Sequence, residues 1–364
     1  EMTIDDQTRR RSTKTGLTAL DRERACPGYT LYAPMNGPGD VYLLSLDGEE
    51  VHHWAMPDPP GLYGYLLPNG NLFYGGKLRD GMWDRFQSWK RFKGGVMMEV
   101  DWNGNKVWEH RDIDHHHDAR RTESGGAIYL TVEQVPEGLA AQVKGGNPVT
   151  GENGMWADVI VEVDASGKRI WEWHAMEHLD PKRDIITFND SRDEWSHGNT
   201  VVPLSGDRVM FSFRNLSTIG IIDKGTGEIV WRLGGEALAQ QHDPSLLSNG
   251  NILVYDNGSH SDHHPLPFSR VIEVDPKSNR TVWEYFDNPA YNFFSPYISG
   301  ARRLPNGNTL ITEGMFGRMF QVTPEGDIVW EYINPHYHED TENAVVNRVF
   351  RATHYLPEEI PQLP

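Results

Sequence analysis

The sequence predicts an all-β fold, because two short phrases of hairpin character alternate along the chain. In the first phrase an alternating apolar stretch runs into Asp or Thr, a polar and mostly Gly-containing turn follows, and Trp comes soon after. The copies end at Trp108, Trp171, Trp231, Trp283 and Trp330, with a weaker one at Trp54. The second phrase is a tight turn whose glycines are Gly70, Gly125, Gly206, Gly250 and Gly307. Such turns, flanked by β-branched residues, are typical of β-hairpins.

The number of repeats predicts how the hairpins are arranged. Two hairpins per unit, repeating every ~50–60 residues, is the period of a β-propeller blade. Five units are complete, while the first, from Tyr29 to Trp54, lacks its first strand. The segment 349–357 resembles the first strand of the last unit, so we expect it to complete the first unit and close the ring. The prediction is one six-bladed β-propeller over residues 28–364, preceded by a tail or strap over 1–27.

Composition and charge exclude several classes of partner. The net charge of −18 argues against nucleic acid or an anionic membrane surface. No apolar run approaches the ~18 residues that a membrane span needs. Cys26 is the single cysteine, which excludes an internal disulfide, and residues 1–26 show no apolar core of a signal peptide. We therefore expect a cytoplasmic location.

The lengths of the loops indicate which face of the propeller carries a site. Within each blade the turns after the first and third strands are tight. The other connections share the opposite face, and several are long: 77–95, 135–157, 174–196 and 334–345. Long loops on a rigid scaffold are where binding and catalytic residues concentrate. First strands begin and second strands end at this face, beside the central channel.

Histidines recur where the first strands begin. His117, His242 and Ser299 each lie eight residues before the turn glycine of their blade, and His197 lies nine before, an offset we attribute to a longer turn. Other candidate site residues at this face are Tyr63 in blade two, Arg351 in the closing strand, Asn215, and the ends of the second strands at Lys77, Glu133, Arg214, Asp256 and Glu313. Three imidazoles from successive blades at one channel mouth indicate a functional site.

Several motifs around these positions carry a family resemblance. They are Trp195-Ser-His197-Gly-Asn-Thr, Phe213-Arg214-Asn-Leu, Gln241-His242-Asp and Asp256-Asn-Gly. Here the chain, from about Tyr29 onward, resembles the bacterial arylsulfate sulfotransferase family. The resemblance implies a six-bladed propeller that moves a sulfuryl group between phenols without a nucleotide donor. It also implies that His242 becomes sulfated, that Arg214 and His197 hold the sulfuryl oxygens, and that His117 is the remaining active-site histidine.

The chemistry of these side chains fits such a reaction. A neutral imidazole is a good nucleophile near pH 7 and can carry a group between two half-reactions. Charge on the equatorial oxygens of a loose transition state suits the planar donors of Arg214. A second histidine can protonate the leaving phenolate and later deprotonate the acceptor. We expect a small aromatic substrate and no cofactor.

Two other functions use the same residues. His117, His197 and His242, with Glu133, Asp256 and Glu313 nearby, could bind a divalent metal. The protein would then be a metal-dependent lyase, hydrolase or hydratase. The third possibility is a propeller without enzymatic activity that binds a partner on its loop face.

An aromatic cluster lies in the long loop of blade two. Trp83, Phe86, Trp89 and Phe92 recur every three residues. This spacing predicts a short amphipathic helix that caps the propeller, or alternatively the wall of an aromatic substrate pocket, and the two are compatible.

Overall fold

The fold is built almost entirely from short antiparallel strands. In this computed structural model, residues 14–78, 85–148, 151, 154–260 and 266–363 are described. Blade one comprises Tyr29–Tyr32, Asp40–Leu44, Glu50–Ala55 and Thr353–Tyr355. Blade two comprises Pro60–Leu66, Leu72–Lys77, Gly95–Val100 and Lys106–Arg111. Blade three comprises His116–Arg121, Ala127–Val135, Met155–Val163 and Arg169–His174. Blade four comprises Gly198–Leu204, Arg208–Phe213, Thr218–Asp223 and Ile229–Gly234. Blade five comprises His242–Leu246, Ile252–Asp256, Arg270–Asp275 and Arg280–Tyr285. Blade six comprises Gly300–Arg303, Thr309–Glu313, Arg318–Val322 and Ile328–Ile333. The prediction of an all-β, six-bladed propeller is confirmed.

The two ends of the chain add strands to different blades. Thr353–Tyr355 pairs antiparallel with the strand Tyr29–Tyr32, in the register Tyr29 to Tyr355. Gly16–Leu20, inside the segment expected to be a tail or strap, instead forms a fifth strand on the outer edge of blade six, against Ile328–Ile333. It therefore covers a strand edge that would otherwise be open for pairing.

The repeated tryptophans explain why the sequence phrase recurs. Each indole N–H donates to a backbone carbonyl in the next blade, at the turn before that blade's last strand. The six donor–acceptor pairs are Trp54 to Asp101, Trp108 to Ala165, Trp171 to Lys224, Trp231 to Pro276, Trp283 to Pro324 and Trp330 to Leu46, at 2.8–3.2 Å. The last pair joins blade six to blade one. Each copy of the phrase thus supplies one hydrogen-bonded contact between neighbouring blades, called a tryptophan joint below.

The hydrophobic core is divided among the interfaces between blades. Blades three and four, for example, pack through Leu130, Trp173, Val201 and Phe211, all at most 2% exposed. Similar clusters lie at the other five junctions. Because each blade's two faces both pack on neighbours, the middle strands are almost continuously apolar.

Short elements cover the face that carries the long connections. The α-helices there are Trp89–Phe92, Glu137–Ala140 and Ala175–His178, and the 3₁₀ turns are Gly235–Ala237, Ala290–Asn292 and Gly314–Phe316. A further 3₁₀ turn, Pro357–Glu359, follows the closing strand on the opposite face, where Gln362 lies beside the turn glycine Gly70. Two small sheets pair Gly145–Asn147 with Ile186–Ser191 and His338–Glu339 with Val345–Val346. None of the helices in the described ranges has the length and apolarity that a bilayer crossing requires.

Candidate active site

A cavity of about 360 Å³ opens on the loop face at the mouth of the central channel. His117, His197, His242 and Arg214 all line it, together with Asn215. The sequence-predicted histidines and arginine therefore converge on one space.

β-bulges at the starts of three first strands turn the histidines toward this cavity. The pairing register shifts near His117, His197 and His242. His117 and His197 have left-handed backbone, with φ of 49° and 51°. Such conformations cost of order 1–3 kcal/mol in a non-glycine residue and concentrate at functional sites. The rings of His117 and His197 lie 4.8 Å apart, centroid to centroid.

The offset of His197 has a different origin from the one we expected. Three residues separate the paired Leu204 and Arg208 at the turn of blade four. Three residues also separate the paired Thr122 and Gly126 in blade three. The turns are equally long, so the extra residues lie in the strand, and the attribution to a longer turn is wrong.

His242 is held by a neutral amide. Its Nδ1 lies 2.7 Å from Oδ1 of Asn257. The Nδ2 of Asn257 donates to the carbonyls of Ser295 and Ile298, which fixes the orientation of the amide. Asn257 Oδ1 must therefore accept, so Nδ1 of His242 carries the proton and Nε2 carries the lone pair.

His197 is held by a carboxylate. Its Nδ1 lies 2.7 Å from Oε2 of Glu194, which is 4% exposed. A carboxylate in this position accepts the Nδ1 proton and fixes the orientation of the ring. Nε2 of His197 is then the ring nitrogen left for a group in the cavity.

Arg214 is positioned by three polar side chains. Its guanidinium donates to Asp190 Oδ1 and Gln240 Oε1, both at 3.0 Å, and to Asn215 Oδ1 at 3.2 Å. Gln240 also donates to Asp190, so the three groups brace one another. A braced, planar guanidinium beside two imidazoles suits an oxyanion with several oxygens.

Burial favours the neutral form of two of the histidines. Burial, followed by the neighbouring His197, His116, His242 and Arg214, holds the pKa of His117 well below its ordinary value. Burial and Arg214 likewise hold the pKa of His242 well below its ordinary value. A neutral His242 with its lone pair on Nε2 is the form that attacks an electrophile.

The loop of blade two supplies an aromatic wall. Phe92 ends the short helix Trp89–Phe92, lines the cavity and stacks on His117 at 4.5 Å between centroids. Phe86 and Trp89 are buried behind it, at 3% and 1% exposure, while Trp83 lies outside the described residues. Both predictions for this segment, a short capping helix and a pocket wall, describe what these residues form.

Three residues expected to bind substrate lie in the channel wall, outside the cavity. Arg351 is fully buried and donates to Tyr63 Oη, Asp118, Thr200 Oγ1 and the carbonyl of Asn199. Its Nε also lies 3.3 Å from Asp243. Tyr63 donates to Asp118, and Ser299 Oγ accepts from the backbone N–H of Gly314. Arg351 and Tyr63 link blades, whereas Ser299 bonds within blade six, because burial leaves their polar groups with protein partners.

The acidic and basic residues at the ends of the second strands are also engaged elsewhere. Glu133 pairs with His174, and Glu313 accepts from Arg318. Asp256 pairs with Arg270 and faces a separate cavity of about 930 Å³. Burial lowers the pKa of Lys77 to about 8, and its Nζ donates toward the carbonyl of Lys90. Of these positions only Arg214, with its neighbour Asn215, reaches the candidate site.

The structure adds supporting residues that strand counting did not find. Glu194, Asn257, Asp190 and Gln240 hold the predicted side chains in place. Glu194 lies three residues before His197, a spacing that was visible in the sequence. Asp190 lies 24 residues from Arg214, inside a long loop, so no local pattern could have joined them.

The metal alternative is not supported. Within the described ranges, no group of three or more His, Cys, Asp or Glu side chains has the arrangement of a metal site. The carboxylates that were expected near these histidines, Glu133, Asp256 and Glu313, are paired with His174, Arg270 and Arg318 and do not line the cavity.

Comparison with known proteins is consistent with this geometry. The family model for arylsulfotransferases (ASST) matches residues 87–335, which contain all three histidines and Arg214. The chain belongs to the arylsulfotransferase family. Transferase activity of this general kind is what membership supports.

Individual similarities are more distant. The arylsulfate sulfotransferase AssT of Escherichia coli O6:H1 is 23% identical over 242 residues, which are 45% of this chain and 40% of that enzyme. The aligned part thus spans two-fifths of the length of that relative. A crystal structure of a protein of unknown function from Bacteroides caccae aligns with a TM-score of 0.54 at 12% identity, covering 90% of this chain and 99% of that one. This likeness concerns the fold alone.

Proposed function

We propose that this protein transfers a sulfuryl group from an aryl sulfate to a phenolic acceptor through a sulfohistidine at Nε2 of His242. The observation that carries the proposal is the state of His242: neutral, with its proton held on Nδ1 by Asn257, and lining the same cavity as Arg214. Family membership supports the reaction class.

The first half-reaction forms the covalent intermediate. The Nε2 lone pair of His242 attacks sulfur, an S–N bond forms and the bond from sulfur to the aryl oxygen breaks. Arg214 and the imidazolium of His197 donate to the sulfuryl oxygens, where charge develops. The departing phenolate oxygen takes a proton from the Nε2–H of protonated His117, whose charged form the anionic donor favours on binding.

The second half-reaction reverses these steps with another phenol. Neutral His117 takes the hydroxyl proton at Nε2 while the phenolic oxygen attacks sulfur. The S–N bond breaks and its electron pair returns to Nε2 of His242. His117 has regained the proton it gave, so no proton is consumed over the cycle.

A burst experiment tests this proposal. Mixing the protein with 4-nitrophenyl sulfate and no acceptor should release one equivalent of 4-nitrophenol per site and then nearly stop. Adding phenol should restart release, with ping-pong kinetics. The His242→Ala variant should show no burst, while His260→Ala, on an exposed loop residue, should behave like the unaltered protein. A protein that shows no burst but hydrolyses the ester steadily would contradict the proposal.

A further inference from the structure

Beside His117 lies a buried histidine to which the proposed reaction gives no role. His116 is fully buried, and its Nδ1 lies 2.8 Å from Nδ1 of His117. On its other side, Nε2 of His116 lies 3.1 Å from Oδ1 of Asp158 and 3.4 Å from the carbonyl oxygen of Thr131. His116 thus connects a histidine of the cavity with a buried carboxylate at ion-pair distance, while its hydrogen bond on that side goes to the carbonyl of Thr131.

The partners fix where the protons are in this chain. Both neighbours of His116 Nε2 are acceptors, so Nε2 carries the proton and Nδ1 of neutral His116 carries a lone pair. The group that meets this lone pair, at 2.8 Å, is Nδ1 of His117, which must therefore carry a proton. The lone pair of neutral His117 is therefore on Nε2, the ring nitrogen left for the cavity.

Asp158 is built to stay ionised. It is 2% exposed and accepts from the hydroxyl of Ser196 and, at 2.8 Å, from the backbone N–H of Gly198. Although burial opposes ionisation, hydrogen bonds from His116, Ser196 and Gly198 lower the pKa of Asp158. A side chain at position 198 would meet Oδ1 of Asp158 at 2.4 Å, so glycine is required there.

The same carboxylate positions two histidines of the site. It reaches His117 through His116, and it holds the backbone on both sides of His197 through Ser196 and Gly198. His242, by contrast, rests on the neutral amide of Asn257. A carboxylate stabilises an imidazolium, whereas an amide orients a ring without adding charge.

We infer that Asp158 and His116 form a relay that keeps the proton of neutral His117 on Nδ1 and stabilises its imidazolium, making His117 the residue that exchanges a proton with the phenol. Both relay members are positioning residues, since neither lines the cavity. The inference rests on the proposed sulfuryl transfer. In this assignment His117, which His116 connects to Asp158, exchanges the proton, and His242, which the amide of Asn257 holds, carries the sulfuryl group.

Asp158→Asn is the informative variant. Its amide would offer N–H groups where His116 now finds an acceptor, so His116 would turn its proton toward His117 and reverse the tautomer of that ring. The expected loss of activity depends on the leaving group when the first half-reaction is measured alone, as kcat/KM for the donor in ping-pong kinetics. With phenyl sulfate, whose phenolate needs a proton, kcat/KM for the donor should fall by roughly 10²–10⁴-fold. With 4-nitrophenyl sulfate, whose phenolate leaves readily, it should fall by about tenfold or less.

Controls separate this role from damage to the fold. Asp118→Asn alters another buried carboxylate, which pairs with Arg351 and not with His116. This variant should change the rates with the two donor substrates by the same factor. In a His117→Ala background, Asp158→Asn should add little further selectivity, because the relay acts through His117. His116→Gln provides a second disruption of the chain if Asp158→Asn does not fold.

The outcomes distinguish this inference from the proposed function. If the unaltered protein transfers no sulfuryl group, the proposed function fails. If it does, but the folded relay variants slow both substrates equally, the relay is refuted while the proposed function stands. Leaving-group-dependent loss in a relay variant, absent from Asp118→Asn, is the result that supports it.

Discussion

At the cavity, three histidines differ in the group that meets Nδ1. His242 meets an amide, His197 a carboxylate and His117 another imidazole. Since the partner of one ring nitrogen determines what the other can do, one residue type yields three chemical roles. The sequence predicted which histidines converge, because their spacing from the turns is local. It could not predict the partner of His116, since Asp158 comes from a different strand of blade three.

Arg214 provides a test at the scale of one residue. Arg214→Lys keeps a positive charge but loses the planar fork that is braced by Asp190 and Gln240. We expect kcat to fall by roughly 10²–10³-fold with a smaller change in KM, since the fork acts on charge that develops in the transition state. Steady-state kinetics with 4-nitrophenyl sulfate and phenol measure both.

Gln362→Ala, which alters an exposed residue beside the turn glycine Gly70 and outside the lining of the cavity, is a suitable control for that series. A rise in KM with kcat unchanged would mean that Arg214 binds the ground state only, contrary to the role proposed here.

Among the structural elements, the first strands and the long loops contribute differently to the site. The first strands place His117, His197 and His242, and their order followed from the repeat. The loops contribute Phe92, Asp190 and Glu194, and loop geometry depends on tertiary contacts that no repeat encodes. The same limit applies to Gly16–Leu20, whose pairing with blade six carries no signal in the repeated phrases.

The tryptophan joints can be tested one at a time. Trp330→Phe removes the hydrogen bond to the carbonyl of Leu46, at 2.9 Å, and leaves space around a side chain that is 1% exposed. The lost hydrogen bond and the new cavity together should lower the free energy of unfolding by about 2–3 kcal/mol. Urea unfolding followed by fluorescence measures the change.

Trp108→Phe serves as the matched variant at another joint. Trp108 donates to Ala165 at 3.0 Å but is only partly buried, so we expect a loss nearer to 1 kcal/mol. Equal losses at the two joints would show that burial does not set the strength of this contact.

For the whole molecule, buried neutral histidines tie folding to pH. Burial is the first cause of a lowered pKa at His52, His110, His115, His117, His242 and His354, and the pKa of His115 falls to about 3. The pKa is raised instead at His174, Asp118 and Asp256. Groups whose lowered pKa disfavours protonation in the folded state therefore outnumber these three.

Stability should consequently fall on the acid side of neutrality. A histidine with a depressed folded pKa gains its proton in the unfolded chain first, so the unfolded state is favoured as pH drops below ~6.5. Each net proton contributes about 1.4 kcal/mol per pH unit. Urea unfolding at pH 7.5, 6 and 5 should show this decline, and His115→Asn should make it shallower by about one proton. Stability that is constant or increases toward pH 5 would contradict this assignment.

The cytoplasmic location stays a prediction from the sequence.

The proposed reaction depends on one covalent species, sulfohistidine at His242. Brief exposure to 4-nitrophenyl sulfate without acceptor, followed by trypsin digestion at neutral pH and peptide mass spectrometry, detects it most directly. Trypsin would place the three cavity histidines in separate peptides, 112–120, 193–208 and 233–270. We predict the mass of one added SO₃ on 233–270, located at His242 by fragmentation, lost in acid and absent from His242→Ala. An adduct on either other peptide, or none while transfer proceeds, would contradict the assignment of His242 as the sulfuryl carrier.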